Sequence, residues 1–222
     1  MCKFFLGYAL VVAFAGIAAN ADTITFTLNY DGCSGGCGTT PFGTITITDT
    51  TYEGLAAVYV DETLGANENY AGTGAGDALN FDVSGLAGAI TVSDLPTGFA
   101  TPGTGKGSAF GSFPDSVTCD GVTGGCHGGS GPTGPLTFYV TSTLGITTAD
   151  FIANSDGYYF SSDILGNNGK TGNVAARIGT CIAGCGGGGG GGGEAPEPAS
   201  LLLSIGGLAL IGFVQHRRMV RT

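Results

Sequence analysis

The chain has 222 residues, of which 44 are glycine and none is tryptophan; charged residues make up 11%, and the formal net charge is −10. Residues that favour helices are too sparse for a helical bundle or a coiled coil, and eight prolines without a Gly-X-Y period exclude collagen. Seven Lys and Arg against 17 Asp and Glu exclude the basic surface that nucleic-acid binding requires, so no nucleic-acid partner is expected.

The N-terminus has the pattern of an export signal. Lys3 precedes an apolar run over residues 4–19, and Ala19-Asn20-Ala21 places small residues at the −3 and −1 positions of a cleavage site. The apolar run is short for a membrane span. We therefore predict a signal peptide over residues 1–21, removed by signal peptidase, rather than an N-terminal membrane anchor.

Residues 22–185 are predicted to form one exported domain, long enough to bury a core. Apolar and polar residues alternate without a break from Thr23 to Tyr30 and again from Gly43 to Thr48, which is the period of a half-buried strand. Further strand candidates, separated by Gly, Asn, Asp and Pro, are 56–60, 78–83, 89–92, 136–140, 158–164 and 173–178. The expected fold class is all-β, an antiparallel β-sandwich with glycine-rich loops.

Two segments of the domain depart from this period. Residues 147–152, which begin with two threonines, indicate a single helical turn capped by a threonine. Residues 121–134 are too rich in glycine and proline for regular structure. We expect an exposed loop there.

The cysteine count indicates disulfide bonds. The exported part of the chain has six cysteines, an even number, and export leads to an oxidising compartment. Six cysteines allow fifteen pairings, and the close spacing within each couple favours three local bridges. A zinc cluster that includes Cys126 and His127 is the alternative, although the C-x2-C spacing of structural zinc sites is missing. The disulfide candidates are Cys33 with Cys37, Cys119 with Cys126, and Cys181 with Cys185.

No group of residues in the domain predicts catalysis. The segment Gly32-Cys33-Ser34-Gly35-Gly36 matches the G-x-S-x-G pattern of a nucleophile elbow, but with so much glycine chance alone produces about half a match. The elbow also needs a strand-to-helix turn, whereas this segment lies in a β context. His127 is the domain's one histidine and lies in a glycine-rich loop. We therefore predict no catalytic residue and no cofactor.

The sequence was also searched for residues that could bind calcium or a saccharide. Asp61, Glu62, Glu68, Asp77 and Asp82 are close in sequence, but none follows the D-x-D-x-D-G spacing of a calcium loop, and no metal site is predicted. Saccharide binding needs exposed aromatic side chains beside polar ones, and core packing explains most of the aromatic residues at strand positions. The aromatic candidates are Tyr52, Tyr59, Tyr70, Phe99, Phe110, Phe113, Tyr139, Tyr158 and Tyr159.

The C-terminus has an ordered series of short segments. Eight glycines at 186–193 indicate a linker over 186–195, which Pro196, Glu197 and Pro198 follow directly. An apolar run over 199–214 comes next; as a helix it would reach about 24 Å, slightly less than the ~30 Å hydrocarbon core. The basic end, 215–222, contains Arg217, Arg218 and Arg221, which predict a cytoplasmic terminus.

This tail, 196–222, resembles the PEP-CTERM sorting signal of Gram-negative bacteria. The resemblance rests on the Pro-Glu-Pro motif, the short transmembrane segment and the terminal arginines, in that order. It implies that the chain is a substrate of an exosortase-type membrane protease and passes through the inner membrane in transit. Proteins with such tails are associated with exopolysaccharide and biofilm.

The function expected from the sequence is therefore that of an exported, tail-sorted protein of the cell surface or extracellular matrix. Its role there is expected to be structural or adhesive rather than enzymatic, with exopolysaccharide as a candidate partner. The alternative is a surface module that binds glycan or calcium.

Overall fold

The computed structural model describes residues 21–72, 77–120, 126, 131–132, 134–178 and, as backbone only, 181–183. They lie in the first of the chain's two units, Met1–Cys185 and Gly186–Thr222. The described residues form β-strands and three short 3-10 turns, so the predicted all-β class is confirmed. None of their helices is long and apolar enough to cross a membrane. The predicted sorting helix, 199–214, lies outside the described residues.

The strands form two antiparallel sheets. Sheet A has the order β13-β1-β3-β4-β10-β7, and sheet B has the order β2-β12-β11-β6-β9-β8 with β5 beside β11. In chain order the strands are β1 Thr23–Thr27, β2 Tyr30–Asp31, β3 Gly43–Tyr52, β4 Leu55–Leu64, β5 Asn69–Tyr70, β6 Leu79–Phe81, β7 Ile90–Ser93, β8 Phe99–Ala100, β9 Asp115–Cys119, β10 Leu136–Ser142, β11 Phe160–Leu165, β12 Thr171–Ala176 and β13 Cys181–Ala183. Each predicted strand segment overlaps at least one of them.

The alternating run from Thr23 to Tyr30, predicted as one strand, is divided between the two sheets. β1 pairs with β3 in sheet A, and β2 pairs with β12 in sheet B. Between them the Leu28 N–H donates to Gly43 O at 3.0 Å, whereas the Asn29 N–H donates to Ala175 O at 3.1 Å. The chain therefore crosses from sheet A to sheet B at this point, and both of these backbone N–H groups have a partner.

The core lies between the sheets. The inward residues of sheet A include Phe26 of β1 and Phe138 of β10, and their rings meet those of Phe160 and Phe81 from sheet B at 5.0 and 5.8 Å. All four side chains are fully buried or nearly so. Because an aromatic side chain contributes about 1.5–3 kcal/mol on full burial, this group is a large part of what holds the sheets together.

A tight hairpin joins the two longest strands, β3 and β4. Tyr52 pairs with Leu55 across a two-residue turn in which Glu53 and Gly54 both have positive φ, 50° and 83°. That backbone is the one that matches the right-handed twist of a hairpin, and glycine at the second position adopts it without strain. The hairpin keeps ten residues of each strand in one unbroken register.

The loop segment 101–113 covers the outer face of sheet B. The side-chain amide of Asn80 on β6 donates to Lys106 O of this loop at 3.5 Å, and that of Asn154 donates to Phe110 O at 2.8 Å. The carboxylate of Asp77 accepts the backbone N–H groups of Thr104 and Gly105 at 2.9 and 2.8 Å. Sheet B is therefore enclosed on both faces, which explains why polar and apolar residues of β11 are equally buried.

Of the two segments predicted to depart from the strand pattern, 147–152 agrees with the structure and 121–134 agrees only in part. The predicted helical turn is confirmed as a 3-10 turn, Thr148–Asp150, where the Thr147 N–H and hydroxyl both donate to Asp150 Oδ2 at 2.8 and 3.0 Å. The prediction that 121–134 is exposed is wrong for Cys126, which is 5% exposed. Its neighbour in the fold, Tyr70 of β5, donates its backbone N–H to Pro132 O at 3.1 Å, so this part of the segment is held against sheet B.

Candidate functional site

The outer face of sheet A is the open face of the sandwich among the described residues. Along most of β1, β3, β4 and β10 the positions that face away from the core are half-buried or exposed and alternate with buried neighbours. Ala57 and Thr141, which pair with each other, are outward positions that are buried. We call this surface the threonine–tyrosine face. It consists of Thr23, Thr25 and Thr27 from β1, Thr44, Thr46, Thr48, Thr50 and Tyr52 from β3, Tyr59, Asp61 and Thr63 from β4, Thr137 and Tyr139 from β10, and Thr91 and Ser93 from β7.

Threonine hydroxyls pair across the strands of this face. Thr23 and Thr48 are 3.2 Å apart between their Oγ1 atoms, and so are Thr25 and Thr46. A hydroxyl has one donor and two acceptor sites, so each pair retains one O–H donor and several acceptor sites for another partner. β-branched side chains also suit a pleated, half-buried surface, which is why threonine fills these positions.

Three tyrosine rings gather at the centre of the face. Tyr59 and Tyr139 are direct cross-strand partners whose ring centroids lie 5.1 Å apart. The ring of Tyr52 stacks on Tyr139 at 4.4 Å with an interplanar angle of 24°. Their positions follow from the alternation: Tyr52 continues the outward register of the β3 threonines, and Tyr139 lies between the buried Phe138 and Val140.

Charge on this face is sparse and negative. Asp61 lies half-buried in its middle, beside Thr46 and Thr137. Partial burial, and after it the neighbouring carboxylates of Glu53 and Asp94, raise the pKa of Tyr52, so its hydroxyl stays protonated. Within the described residues, the cations lie elsewhere: Lys106 in the loop over sheet B, Lys170 between β11 and β12, and Arg177 after β12.

Glu62, next to Asp61 on β4, points the other way, into the core. Its side chain is completely buried, and neither carboxyl oxygen has a hydrogen-bond partner among the described residues. The nearest hydroxyls have other acceptors: Ser162 Oγ donates to Ala78 O at 2.5 Å, and Tyr70 Oη donates to the backbone carbonyl of Glu62 at 3.2 Å. Burial raises the pKa of Glu62 to about 8, with those two hydroxyls opposing the rise. Glu62 is therefore a neutral carboxylic acid at neutral pH.

A second acid is buried in the turn after β4. Glu68 is 2% exposed, and its Oε2 has no hydrogen-bond partner in the described part of the chain. Burial raises its pKa to about 7, and the backbone at Gly65 moderates the increase. The sequence analysis did not predict that either glutamate would be buried, because a charged side chain is usually solvent-facing whatever position the alternation gives it.

The acidic residues considered for calcium are not brought together. Asp61 faces outward, Glu62 faces the core, and Asp77 is used by the loop over sheet B. Among the described residues, the acidic, cysteine or histidine side chains that could jointly reach one metal ion are Asp31, Cys33 and Cys37. The two sulfurs of that group are joined to each other in a disulfide bond.

Two of the predicted local disulfides are confirmed. Cys33 bonds to Cys37 and Cys119 to Cys126, with Cα–Cα distances of 5.4 and 5.3 Å. The first bridge closes a turn in which the Asp31 carboxylate accepts the backbone N–H groups of both cysteines at 2.9 Å. The Cys119–Cys126 bond also rules out Cys126 as a zinc ligand in the oxidised protein. Cys185, of the third predicted pair, lies outside the described residues.

The G-x-S-x-G match falls in this same disulfide turn. Ser34 is exposed between Cys33 and Cys37, and the chain continues from there into β3 without a helix. The arrangement differs from the strand-to-helix turn on which a nucleophile elbow depends. His127 lies outside the described residues.

The described residues thus define an all-β, antiparallel sandwich-like domain with two disulfides, one enclosed sheet and one open sheet. Comparison with family models, curated proteins and solved structures found no match for this chain. The sorting residues predicted from the sequence, Pro196, Glu197, Pro198, Arg217, Arg218 and Arg221, lie outside the described residues.

Proposed function

We propose that this chain is an exported protein that its C-terminal tail sorts to the cell surface or the extracellular matrix, where it has a structural or adhesive role. The observation that carries the proposal is the order of segments in the tail. Pro196-Glu197-Pro198, the apolar run 199–214 and the arginines at 217, 218 and 221 follow in that order within 27 residues. In this scheme the chain is the substrate of a membrane protease of the exosortase type.

Three further observations support this proposal. Two disulfide bonds are typical of a chain that folds in an oxidising compartment. The N-terminal apolar run with Ala19-Asn20-Ala21 supplies a route to that compartment. An open, hydroxyl-rich sheet face suits a protein that makes contacts with other molecules. Ser34, in its disulfide turn, does not have the strand-to-helix turn of a nucleophile elbow.

The test is to follow the mature chain in its native host by fractionation and intact-mass measurement. We expect a species that begins at Asp22, ends near Pro196–Pro198 and lies outside the inner membrane. Changing Glu197 to Gln in the motif is expected to leave the tail attached and the protein in the inner membrane. Glu194→Gln removes the same charge three residues earlier, outside the motif, and is the matched control.

Either of two results would contradict the proposal. One is a wild-type chain that keeps its whole tail in the inner membrane, which would make the tail an ordinary anchor. The other is equal processing of Glu197→Gln and Glu194→Gln, which would show that the protease does not recognise the glutamate of the Pro-Glu-Pro motif.

A further inference from the structure

We propose that the threonine–tyrosine face of sheet A is a binding platform for an extended, uncharged polysaccharide. The inference rests on the proposed function in one respect: a protein displayed at the surface or in the matrix meets polysaccharide there. The arguments for the platform itself come from its rings, its hydroxyls, its charge and its shape.

The tyrosine cluster supplies the apolar part of the platform. Tyr52, Tyr59 and Tyr139 form a contiguous aromatic group, with centroid separations of 4.4 and 5.1 Å, on the outer face of sheet A, where all three side chains are half-buried. Aromatic rings carry a negative face that attracts the weakly positive C–H groups of a sugar ring. A buried tyrosine cluster would be explained by core packing; these three side chains are outside the core.

The threonines supply the polar part. One row of paired residues runs across five strands, from Thr23 through Thr48, Tyr59 and Tyr139 to Ser93. At about 4.8 Å between strands, the row is about 19 Å long, enough for several sugar rings in succession. The two threonine pairs at the β1–β3 end of the row retain hydroxyl donors and acceptors, which are the same kind of group as the hydroxyls of a sugar.

The charge distribution selects a neutral polymer. Asp61 in the face, together with Glu53 and Asp94 next to Tyr52, disfavours an acidic polysaccharide, a nucleic acid or an anionic lipid surface. The cations of the described residues are away from the face and cannot offset the repulsion between its carboxylates and an anionic ligand. They are Lys106, Lys170 and Arg177. A polymer without charge carries no such penalty, since it loses no ionic hydration on contact.

The shape of the domain points to the same surface. Sheet B has its outer face covered by the loop 101–113, whereas the outer face of sheet A remains open across its strands. An open sheet face could also receive a second copy of this chain. Such an interface would bring Asp61 of two copies onto facing surfaces, which disfavours self-association through this face.

The experiment is affinity electrophoresis of the purified full chain in gels that contain a soluble polysaccharide. The neutral probes are dextran, laminarin and hydroxyethylcellulose, and the acidic probe is alginate. We expect slower migration with at least one neutral probe and none with alginate. Tyr139→Thr keeps a strand-forming residue typical of this face, and we expect it to weaken the retardation about fivefold or more.

Tyr158→Thr is the matched control, because Tyr158 belongs to a separate aromatic group with Tyr30 and Phe110 beside sheet B. Its retardation should equal that of the wild type. Tyr52→Thr, close to the hairpin turn, gives a second test should Tyr139→Thr melt at a much lower temperature. Because the chain has no tryptophan, tyrosine fluorescence gives an independent measure of binding in solution.

The proposal is overturned if none of the three neutral probes retards the wild-type chain, if alginate retards it as strongly, or if the Tyr139 and Tyr158 variants lose binding equally. It is also overturned if gel filtration shows a dimer that Tyr139→Thr abolishes, since the face would then belong to a second copy. The assay does not depend on where a cell places the protein, so its failure would leave the sorting proposal intact.

Discussion

The buried acid Glu62 should make the stability of the domain depend on pH. The folded protein holds the Glu62 proton more tightly than the unfolded chain does, with a pKa of about 8 against 4.5. Below pH 4.5 both states are protonated and the stability contribution is complete. As the pH rises from 4.5 to 8 only the unfolded chain releases the proton, so the free energy of unfolding falls by about 5 kcal/mol.

The variant Glu62→Gln tests this directly, because glutamine is neutral at every pH and close to glutamate in volume. We expect its free energy of unfolding, measured by urea denaturation, to be equal to or below the wild-type value at pH 5 and above it at pH 9. Asp61→Asn changes the adjacent residue, which faces outward; its charge is the smallest of the causes that raise the pKa of Glu62, so this variant should keep most of the wild-type slope. Parallel curves for Glu62→Gln and the wild type between pH 5 and pH 9 would show that the buried acid does not control the slope.

The position of Glu62 also shows a limit of reading single residues from a sequence. Alternation alone places it inward, between the outward Asp61 and Thr63, yet a glutamate is rarely buried without a partner. Only the tertiary structure shows that Tyr70 and Ser162 from sheet B lie opposite it. The outward tyrosines, by contrast, could have been found from the same alternation, since Tyr59 and Tyr139 each lie between two apolar residues.

Between elements, the loop over sheet B is the feature that the sequence did not reveal. Residues 101–113 have no period and contain several glycines, and the contacts that anchor them come from distant side chains such as Asn80 and Asn154. The strands β5, β8, β9 and β13 lie outside the predicted segments. β5 and β8 have two residues each, and two residues cannot show a period. Long alternating strands such as β3 were predicted because their own residues carry the pattern.

Gly107 tests how closely this loop approaches sheet B. A Cβ added there would lie 2.7 Å from the ring of Phe113 and 3.1 Å from the Cβ of Ser161, so Gly107→Ala forces the loop away from the sheet. We expect a loss of about 1–3 kcal/mol in the free energy of unfolding and faster amide hydrogen exchange in residues 101–113. Gly85→Ala, where a Cβ has no neighbour within 4 Å, is the control. Equal stability of the two variants would mean that the loop does not pack as described.

For the domain as a whole, composition and period were enough to predict the fold class. Sparse charge and threonine-rich alternation favour strands over helices, and antiparallel pairing with one solvated face follows from that alternation. The order of strands in the sheets could not be predicted, because it depends on contacts between distant segments such as β1 with β13 and β11 with β6. The open face of sheet A is the part of the candidate site that the pattern contains in part. Tyr59, Tyr139 and most of the outward threonines occupy predicted strands, whereas Thr50, Tyr52 and Thr63 lie beyond the predicted strand ends.

The disulfide pattern is a property of the whole exported chain, and it leads to the last prediction. Close spacing correctly paired Cys33 with Cys37 and Cys119 with Cys126. The same rule applied to Cys181, in β13, and Cys185 predicts a third local bridge. Reduction of the mature protein should then raise its intact mass by about six hydrogens, two for each bridge.

Thiol labelling of the unfolded, unreduced protein separates this pattern from its alternatives. The wild type should take up no label, and Cys181→Ser should expose one reactive thiol, which peptide mapping should locate at Cys185. Cys33→Ser is the matched control and should expose Cys37 instead. A label at Cys185 in the wild type would show that the spacing rule fails for the third pair, where the strand at the edge of sheet A leads into the glycine-rich linker.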